Sequence, residues 1–132
     1  MRKGFVVYHL PLLLYIVLIF IGSSLPSPPQ SFPFLIKDKL LHVCEYLVLG
    51  ILLMRSIMAF SGKGPKPMLL IWAVFWGILY AASDELHQYF VPGRSCDFTD
   101  WLADFVGLAC GAAIIYIISM RKMRNSGVAN QM

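Results

Sequence analysis

Residues 84–104 read DELHQYFVPGRSCDFTDWLAD and contain five of the seven acidic residues of the chain. They lie between two apolar segments, each long enough to cross a bilayer. Charged side chains at membrane depth are costly, and acidic residues found there commonly mark a functional site. The stretch therefore predicts a polar site held between membrane-spanning helices.

The composition of the whole chain indicates a membrane protein. Of the 132 residues, 58% are hydrophobic and 14% are charged, and the mean hydropathy is +0.70, whereas about 25% charged residues is usual for soluble domains. The basic residues behind the net charge of +4 lie at the ends of apolar segments, so no nucleic-acid partner is indicated. Three cysteines without CxxC spacing indicate neither a disulfide framework nor a zinc ribbon.

Four apolar segments predict an all-α bundle of four transmembrane helices, at about residues 5–22, 39–60, 68–91 and 100–120. Residues 5–120 then form a single domain, and residues 121–132 form a polar cytoplasmic tail. The first segment also resembles a signal peptide, but it is longer than a usual signal core and contains Pro11, which favours a retained helix. Four prolines between residues 26 and 33 predict an extended connection, and Asp38 and Asp100 are candidate helix caps.

The distribution of charge predicts the orientation in the membrane. The two termini, the 61–67 turn and the neighbouring Arg55 hold eight of the eleven basic residues, whereas all seven acidic residues lie toward the opposite side. By the positive-inside rule both termini are cytoplasmic, and the connections 23–37 and 92–99 face outward. The acidic stretch then lies near the outer surface of the membrane.

Three of the predicted helices carry a polar face at similar depth. The residues of the three faces are Asp38, His42, Glu45 and Tyr46; then Asp84, Glu85 and Gln88; and then Asp97, Asp100 and Asp104. Side chains three, four or seven positions apart share one face of a helix. Gly107 and Gly111 continue the third face as a GxxxG-like groove that permits close helix contact. The faces predict one convergent site, and the structural alternative is a polar network that only joins the helices.

The residue types in this site suggest roles. For binding of an anionic headgroup, Arg94 and Lys39 are the candidate contacts, with carboxylates that orient Arg94 and accept hydrogen bonds from hydroxyls. The full set of candidate substrate-binding residues is Lys39, Tyr46, Gln88, Arg94 and Asp97. For catalysis, His42, Glu45, Asp84 and Glu85 are the candidate acid and base residues. Asp100 and Asp104 are candidate ligands of a divalent cation, and oxygen-rich ligands suit Mg²⁺ or Ca²⁺.

The motifs Asp38-Lys39-x-x-His42-x-x-Glu45-Tyr46 and Asp84-Glu85-x-x-Gln88-x-x-x-Pro92-Gly93-Arg94-x-x-Asp97-x-x-Asp100-x-x-x-Asp104 resemble the VanZ-like family of small bacterial membrane proteins. The resemblance covers roughly residues 5–120. It implies a four-helix protein of the bacterial plasma (inner) membrane, and the founding member is associated with resistance to the glycopeptide teicoplanin. The family often has Asn where this chain has Asp104. The resemblance brings no defined biochemical activity with it.

Three functions remain open at this point. The favoured hypothesis is an outward-facing site that binds or modulates a cell-envelope amphiphile, either a lipid headgroup or a lipid-linked wall precursor, with an effect on glycopeptide susceptibility. The second is a membrane-embedded, metal-assisted hydrolase or transferase acting on an envelope lipid. The third is a proton- or cation-coupled carrier in which Glu45 and Asp104 titrate. Because four short helices enclose a pathway poorly, the carrier hypothesis favours a homo-oligomer.

Overall fold

The computed structural model describes residues 2–26, 32–62 and 64–129. Within these ranges the chain forms helices and no strand: α1 (Arg2–Tyr8), α2 (Leu10–Ser23), α3 (Phe32–Ser61), α4 (Pro67–Gln88) and α5 (Phe98–Ala129). Four stretches are long and apolar enough to cross a membrane, namely Gly4–Ser23, Asp38–Ser61, Pro67–Gln88 and Phe98–Ser126. The prediction of an all-α, multi-pass membrane protein with four spanning helices is confirmed.

The first span is interrupted at one residue where the sequence predicted one continuous helix. The break falls at His9, and Pro11 occupies the first turn of α2. Proline has no backbone N–H, so it cannot donate to the carbonyl four residues earlier. Backbone hydrogen bonds from His9 to Phe5 (2.9 Å) and from Leu13 to His9 (3.0 Å) continue on both sides. The two helices therefore form a single candidate span with a one-residue break near one end.

Three other helix boundaries differ from the predicted ones. Helix α3 begins at Phe32, so Asp38 lies in its second turn and is not a cap. Helix α4 ends at Gln88, and the chain turns through Gly93, which has a φ of +78°. Helix α5 continues past the predicted end at residue 120 to Ala129, because basic residues and methionine are good helix formers. The proposed tail is thus helical through residue 129, and residues 130–132 lie outside the described ranges.

The most extensive helix contact is between α3 and α5. A Cβ atom on Gly107 would collide with the backbone carbonyl of Val43, and one on Gly111 would collide with that of Leu47. Gly50 of α3 faces the α5 backbone in the same way. Small residues allow this approach in membranes, where dispersion contacts drive helix association. The predicted glycine groove is confirmed, and it fixes the spacing of the two helices that carry most of the polar site.

Candidate functional site

The polar faces of α3, α4 and α5 meet at one end of the bundle, as the spacing predicted. The members that are almost completely buried are His42, Tyr46, Asp84, Glu85, Gln88, Asp100 and Asp104. The start of α3, the end of α4 and the start of α5 all lie at this end. The chain reverses direction from each of these helices to the next. Residues that are far apart in the sequence therefore lie at the same depth in the bundle.

His42 and Asp104 form the deepest pair of the site. Nδ1 of His42 lies 2.8 Å from Oδ1 of Asp104, and the Asp104 side chain is fully buried. The second carboxylate oxygen of Asp104, Oδ2, is buried and has no hydrogen-bond partner in the described part of the chain. The pair joins α3 to α5 about one turn from Gly107, so its geometry depends directly on the glycine contact.

Lys39 joins α3 to the start of α5. Its ammonium group lies 2.6 Å from Oδ1 of Asp100 and 3.5 Å from Oδ2 of Asp97, and it also donates to the hydroxyl of Thr99. An ammonium group has three N–H donors, and three acceptors surround this one. Lys39, predicted as a ligand contact, is thus engaged by the protein, and a headgroup would have to displace one of these partners.

Asp97 caps α5, a role that the sequence suggested for Asp100. The Oδ1 atom of Asp97 accepts hydrogen bonds from the backbone N–H and the hydroxyl of Thr99, both at 2.8 Å. These two donors, with Lys39 beside them, hold the pKa of the Asp97 carboxyl below its usual range. The backbone N–H of Asp97 donates to Oε2 of Glu85 at 3.0 Å. Asp97, in the connection between α4 and α5, therefore forms hydrogen bonds with both helices. Asp100 does not cap α5 and pairs with Lys39.

A second chain of hydrogen bonds runs across α4 to Arg94. Oδ2 of Asp84 accepts from Nε2 of Gln88 (3.2 Å) and from the Tyr46 hydroxyl (3.5 Å), and Oε1 of Gln88 accepts from Nη1 of Arg94 (3.4 Å). Arg94 also donates to two backbone carbonyls at the end of the first span, those of Gly22 and Leu25, each at 3.2 Å. These contacts use three of the five N–H donors of a guanidinium group. Arg94 thus fastens α2 to the site and keeps donors for a ligand.

A cavity of about 470 Å³ opens beside this chain, between α2, α3 and α4. Its lining combines a cation, three carboxyl groups and apolar walls; the lining residues used below are Tyr15, Asp38, Leu41, His42, Glu45, Val48, Asp84 and Arg94. The Glu45 carboxyl group has no hydrogen bond to the described residues, although the Tyr15 hydroxyl donates to the Glu45 backbone carbonyl at 3.0 Å. Glu45, Arg94 and Asp84 therefore retain unused hydrogen-bonding capacity in the cavity, since Oδ1 of Asp84 is also buried without a partner among the described residues.

Two sets of side chains in the described residues have the spacing to hold a metal ion. In each set the candidate ligand atoms lie within 4.8 Å of one another: one set is Asp38, His42 and Asp100, and the other is His42, Glu85 and Asp104. The second set is completely buried and includes two oxygens without partners, Oδ2 of Asp104 and Oε1 of Glu85. The two aspartates predicted as metal ligands therefore fall in different sets that share His42.

Sequence reasoning missed several contributors. Thr99 completes the cap of α5, and its position two residues after an aspartate is typical of such a cap. Tyr15, in an otherwise apolar helix, positions the backbone beside Glu45. His87 stacks on Phe20 at a centroid distance of 4.7 Å and lies 3.0 Å from the hydroxyl of Ser24. The contacts of Tyr15 and His87 attach the first span to the site. They join residues of different helices, so the spacing of residues along one helix does not predict them.

A family model described as VanZ/LLP1 matches residues 5–119. No curated protein and no solved structure matches the chain.

Proposed function

The chain belongs to the VanZ/LLP1 family, and we propose that its acidic cavity binds the headgroup of a cell-envelope amphiphile, a lipid or a lipid-linked wall precursor. The observation that supports this proposal is the lining of the 470 Å³ cavity. Arg94, Glu45 and Asp84 contribute charged groups to this lining, and Leu41 and Val48, which flank Glu45 on the same face of α3, contribute apolar side chains.

This combination suits a ligand that is polar at one end. Arg94 offers planar donors that match a phosphate or carboxylate, and Glu45 accepts hydrogen bonds from hydroxyl or ammonium groups. Leu41 is 65% exposed and Val48 is 37% exposed, so both continue onto the lipid-facing surface. An acyl or prenyl chain can therefore remain in the bilayer while its headgroup enters the cavity. In the predicted orientation this end faces outward, where envelope precursors are used.

Lipids retained by the purified protein test the proposal. We expect mass spectrometry of lipids extracted from the detergent-purified protein to identify an envelope amphiphile. Loss of one charge-assisted hydrogen bond costs about 1.5 kcal/mol or more, roughly tenfold in affinity. Arg94→Gln and Glu45→Gln should each lower retention by about that factor. Lys66→Gln, which removes an exposed charge outside this cavity, is the control. Equal retention by all four proteins would reject the cavity as a headgroup site.

The orphaned buried oxygens favour a second candidate, a metal-assisted hydrolase or transferase. In this version His42, Glu85 and Asp104 hold a divalent cation, which would polarise a phosphoryl oxygen of the bound headgroup. Glu45 would act as base from the neighbouring cavity. Isothermal titration with Mg²⁺, Ca²⁺ or Mn²⁺ measures this directly. We expect binding by the wild type and its loss in Glu85→Gln. Comparison of envelope lipids from cells with and without the protein then shows whether a species is altered or only held.

A further inference from the structure

A larger cavity lies at the opposite end of the bundle, between α1, α3 and α5. Its volume is about 1000 Å³, and its lining includes Tyr8, His9, Arg55, Ile115 and Lys122. All seven acidic residues belong to the other end of the molecule or to the loop beside it. This second cavity is therefore positively charged, in contrast to the acidic cavity.

Arg55 is the central charge of this basic cavity. It is half-buried and lies six residues before the end of α3 at Ser61, about 9 Å along the helix axis at 1.5 Å per residue. Its guanidinium carbon lies 5.8 Å from the centroid of the Tyr8 ring. No carboxylate and no hydrogen-bond acceptor in the described residues contacts its side chain. The cation–π contact holds the guanidinium group in place and leaves its N–H donors unused.

The residues at the break in the first span form part of the cavity lining. Nδ1 of His9, the residue at the break, lies 2.7 Å from the hydroxyl of Ser56, which is buried. This hydrogen bond fixes α1 against α3 directly beside Arg55. Tyr8 is the neighbour of His9, so the same contact places the aromatic ring under the guanidinium group. The wall is thus held by a specific polar contact between two spans.

We propose that the basic cavity binds the phosphate group of an anionic phospholipid from the adjoining leaflet. Arg55 would contact the phosphate oxygens, because a guanidinium group pairs with phosphate through two parallel hydrogen bonds. Lys122, exposed at the rim, adds a second positive charge. Basic sites between transmembrane helices suit acidic lipid headgroups, especially on the cytoplasmic side, where the predicted orientation places this end.

The walls favour a lipid over a soluble phosphate compound. Phe5 and Ile115 line the cavity together with Met58, and Phe5 is 50% exposed. Acyl chains can pack on these side chains and continue into the bilayer, whereas a small phosphate ester gains nothing from them. The site is separate from the acidic cavity, so its function does not depend on the function proposed there.

Native mass spectrometry of the full chain in detergent tests this site. The probes are phosphatidylglycerol, which is anionic, and phosphatidylcholine, which has no net charge. We expect the wild type to bind phosphatidylglycerol at least about tenfold more tightly, as expected for an additional charge-assisted contact. Arg55→Gln should remove most of that preference, and Lys122→Gln should reduce it several-fold. Lys66→Gln removes the same charge at the same end but does not line the cavity, so its preference should remain.

Further results distinguish binding in this cavity from non-specific attraction between the basic end of the protein and an anionic lipid. Because Lys122 is exposed, Lys122→Gln should fold normally. If Arg55→Gln unfolds, the lipid preference of Lys122→Gln is the measurement that tests the site. Equal binding of the two lipids by the wild type would overturn the proposal, and so would an equal loss of preference in Lys66→Gln. Displacement of the lipid by millimolar glycerol phosphate would show a site for soluble phosphate esters and would also overturn it. Failure of displacement supports the lipid site.

Discussion

Gly107→Ala tests whether the close contact between α3 and α5 sets the geometry of the acidic site. In the structure a Cβ atom at Gly107 would lie 3.0 Å from the backbone nitrogen of Leu47 and closer still to the carbonyl oxygen of Val43. These atoms belong to the helix backbone and cannot rotate away, as a flexible side chain could. The two helices must therefore move apart to admit the methyl group.

The size of the movement follows from these distances. Restoring ordinary van der Waals separation requires a displacement on the order of 1 Å. Such overpacking commonly costs about 1–3 kcal/mol. Asp104 lies one turn before Gly107, and His42 adjoins Val43, so the same displacement acts on the bond between His42 and Asp104. Lengthening that bond from 2.8 Å by about 1 Å takes it beyond hydrogen-bond range.

Two measurements together check this prediction. Thermal unfolding in detergent reports the loss of stability, and the ¹⁵N chemical shifts of the His42 imidazole report its hydrogen bond. The chain has three histidines, and comparison with His42→Gln assigns the signal. Gly4→Ala is the control, because a Cβ atom there meets nothing within 4 Å. The reasoning is refuted if Gly107→Ala unfolds like the wild type and its His42 signal does not move.

Three further variants probe the charges around this site. Asp97→Ala should lower the free energy of unfolding by about 1 kcal/mol through loss of a helix cap, whereas Asp97→Asn keeps an acceptor and should lose less. The donors from Thr99 hold the pKa of Asp97 below its usual value, so its stabilisation is complete above the unfolded-state pKa. It is lost as the pH falls through the folded-state pKa. Acid titration of the melting temperature should show this loss in the wild type and not in Asp97→Asn. Lys39→Met should cost about 1–3 kcal/mol, because it leaves the Asp100 carboxylate, whose side chain is only 10% exposed, without its cation. A double-mutant cycle measures the coupling, and an unchanged free energy of unfolding would contradict this. For topology, a membrane-impermeant maleimide added to intact cells should label the exposed Cys96 but not Gly64→Cys; the reverse pattern would invert the proposed orientation.

The number and type of helices could be predicted because long apolar runs have few alternatives in a bilayer. Helix ends were harder to predict, for identifiable reasons. The basic residues Arg121 and Lys122 favoured a predicted helix end at residue 120. Such residues are also good helix formers, and they extend a helix when no glycine or proline follows them closely. Pro11 was visible in the sequence, but whether a proline ends, bends or starts a helix depends on the packing around it. At the break, His9 is hydrogen-bonded to Ser56, which lies on another span.

The polar faces of the site could be predicted from residue spacing, but the pairs within it could not. Spacing of three, four and seven residues places side chains on one face. It does not say that His42 pairs with Asp104 while Lys39 pairs with Asp100. Which side chains pair depends on the rotation of α3 relative to α5 and on the distance between the two helices. Gly50, in an apolar run of α3, helps to set that distance. Differences of about 1 Å decide such hydrogen bonds, and a sequence pattern does not resolve them.

The balance of donors and acceptors in the acidic cluster supports the proposed binding role over a purely structural one. A purely structural network would match each buried acceptor with a donor, because an unmatched polar atom costs free energy in a low-dielectric interior. Here Lys39 is surrounded by three acceptors and Arg94 keeps two N–H donors, yet buried oxygens of Asp84, Glu85 and Asp104 have no partner among the described residues. Partners for these oxygens would be protons, bound water, a cation or a ligand. One of these unmet acceptors belongs to Asp84, which lines the cavity, as the proposed binding site requires. A network that only joins helices would gain stability from replacing those carboxylates with apolar residues.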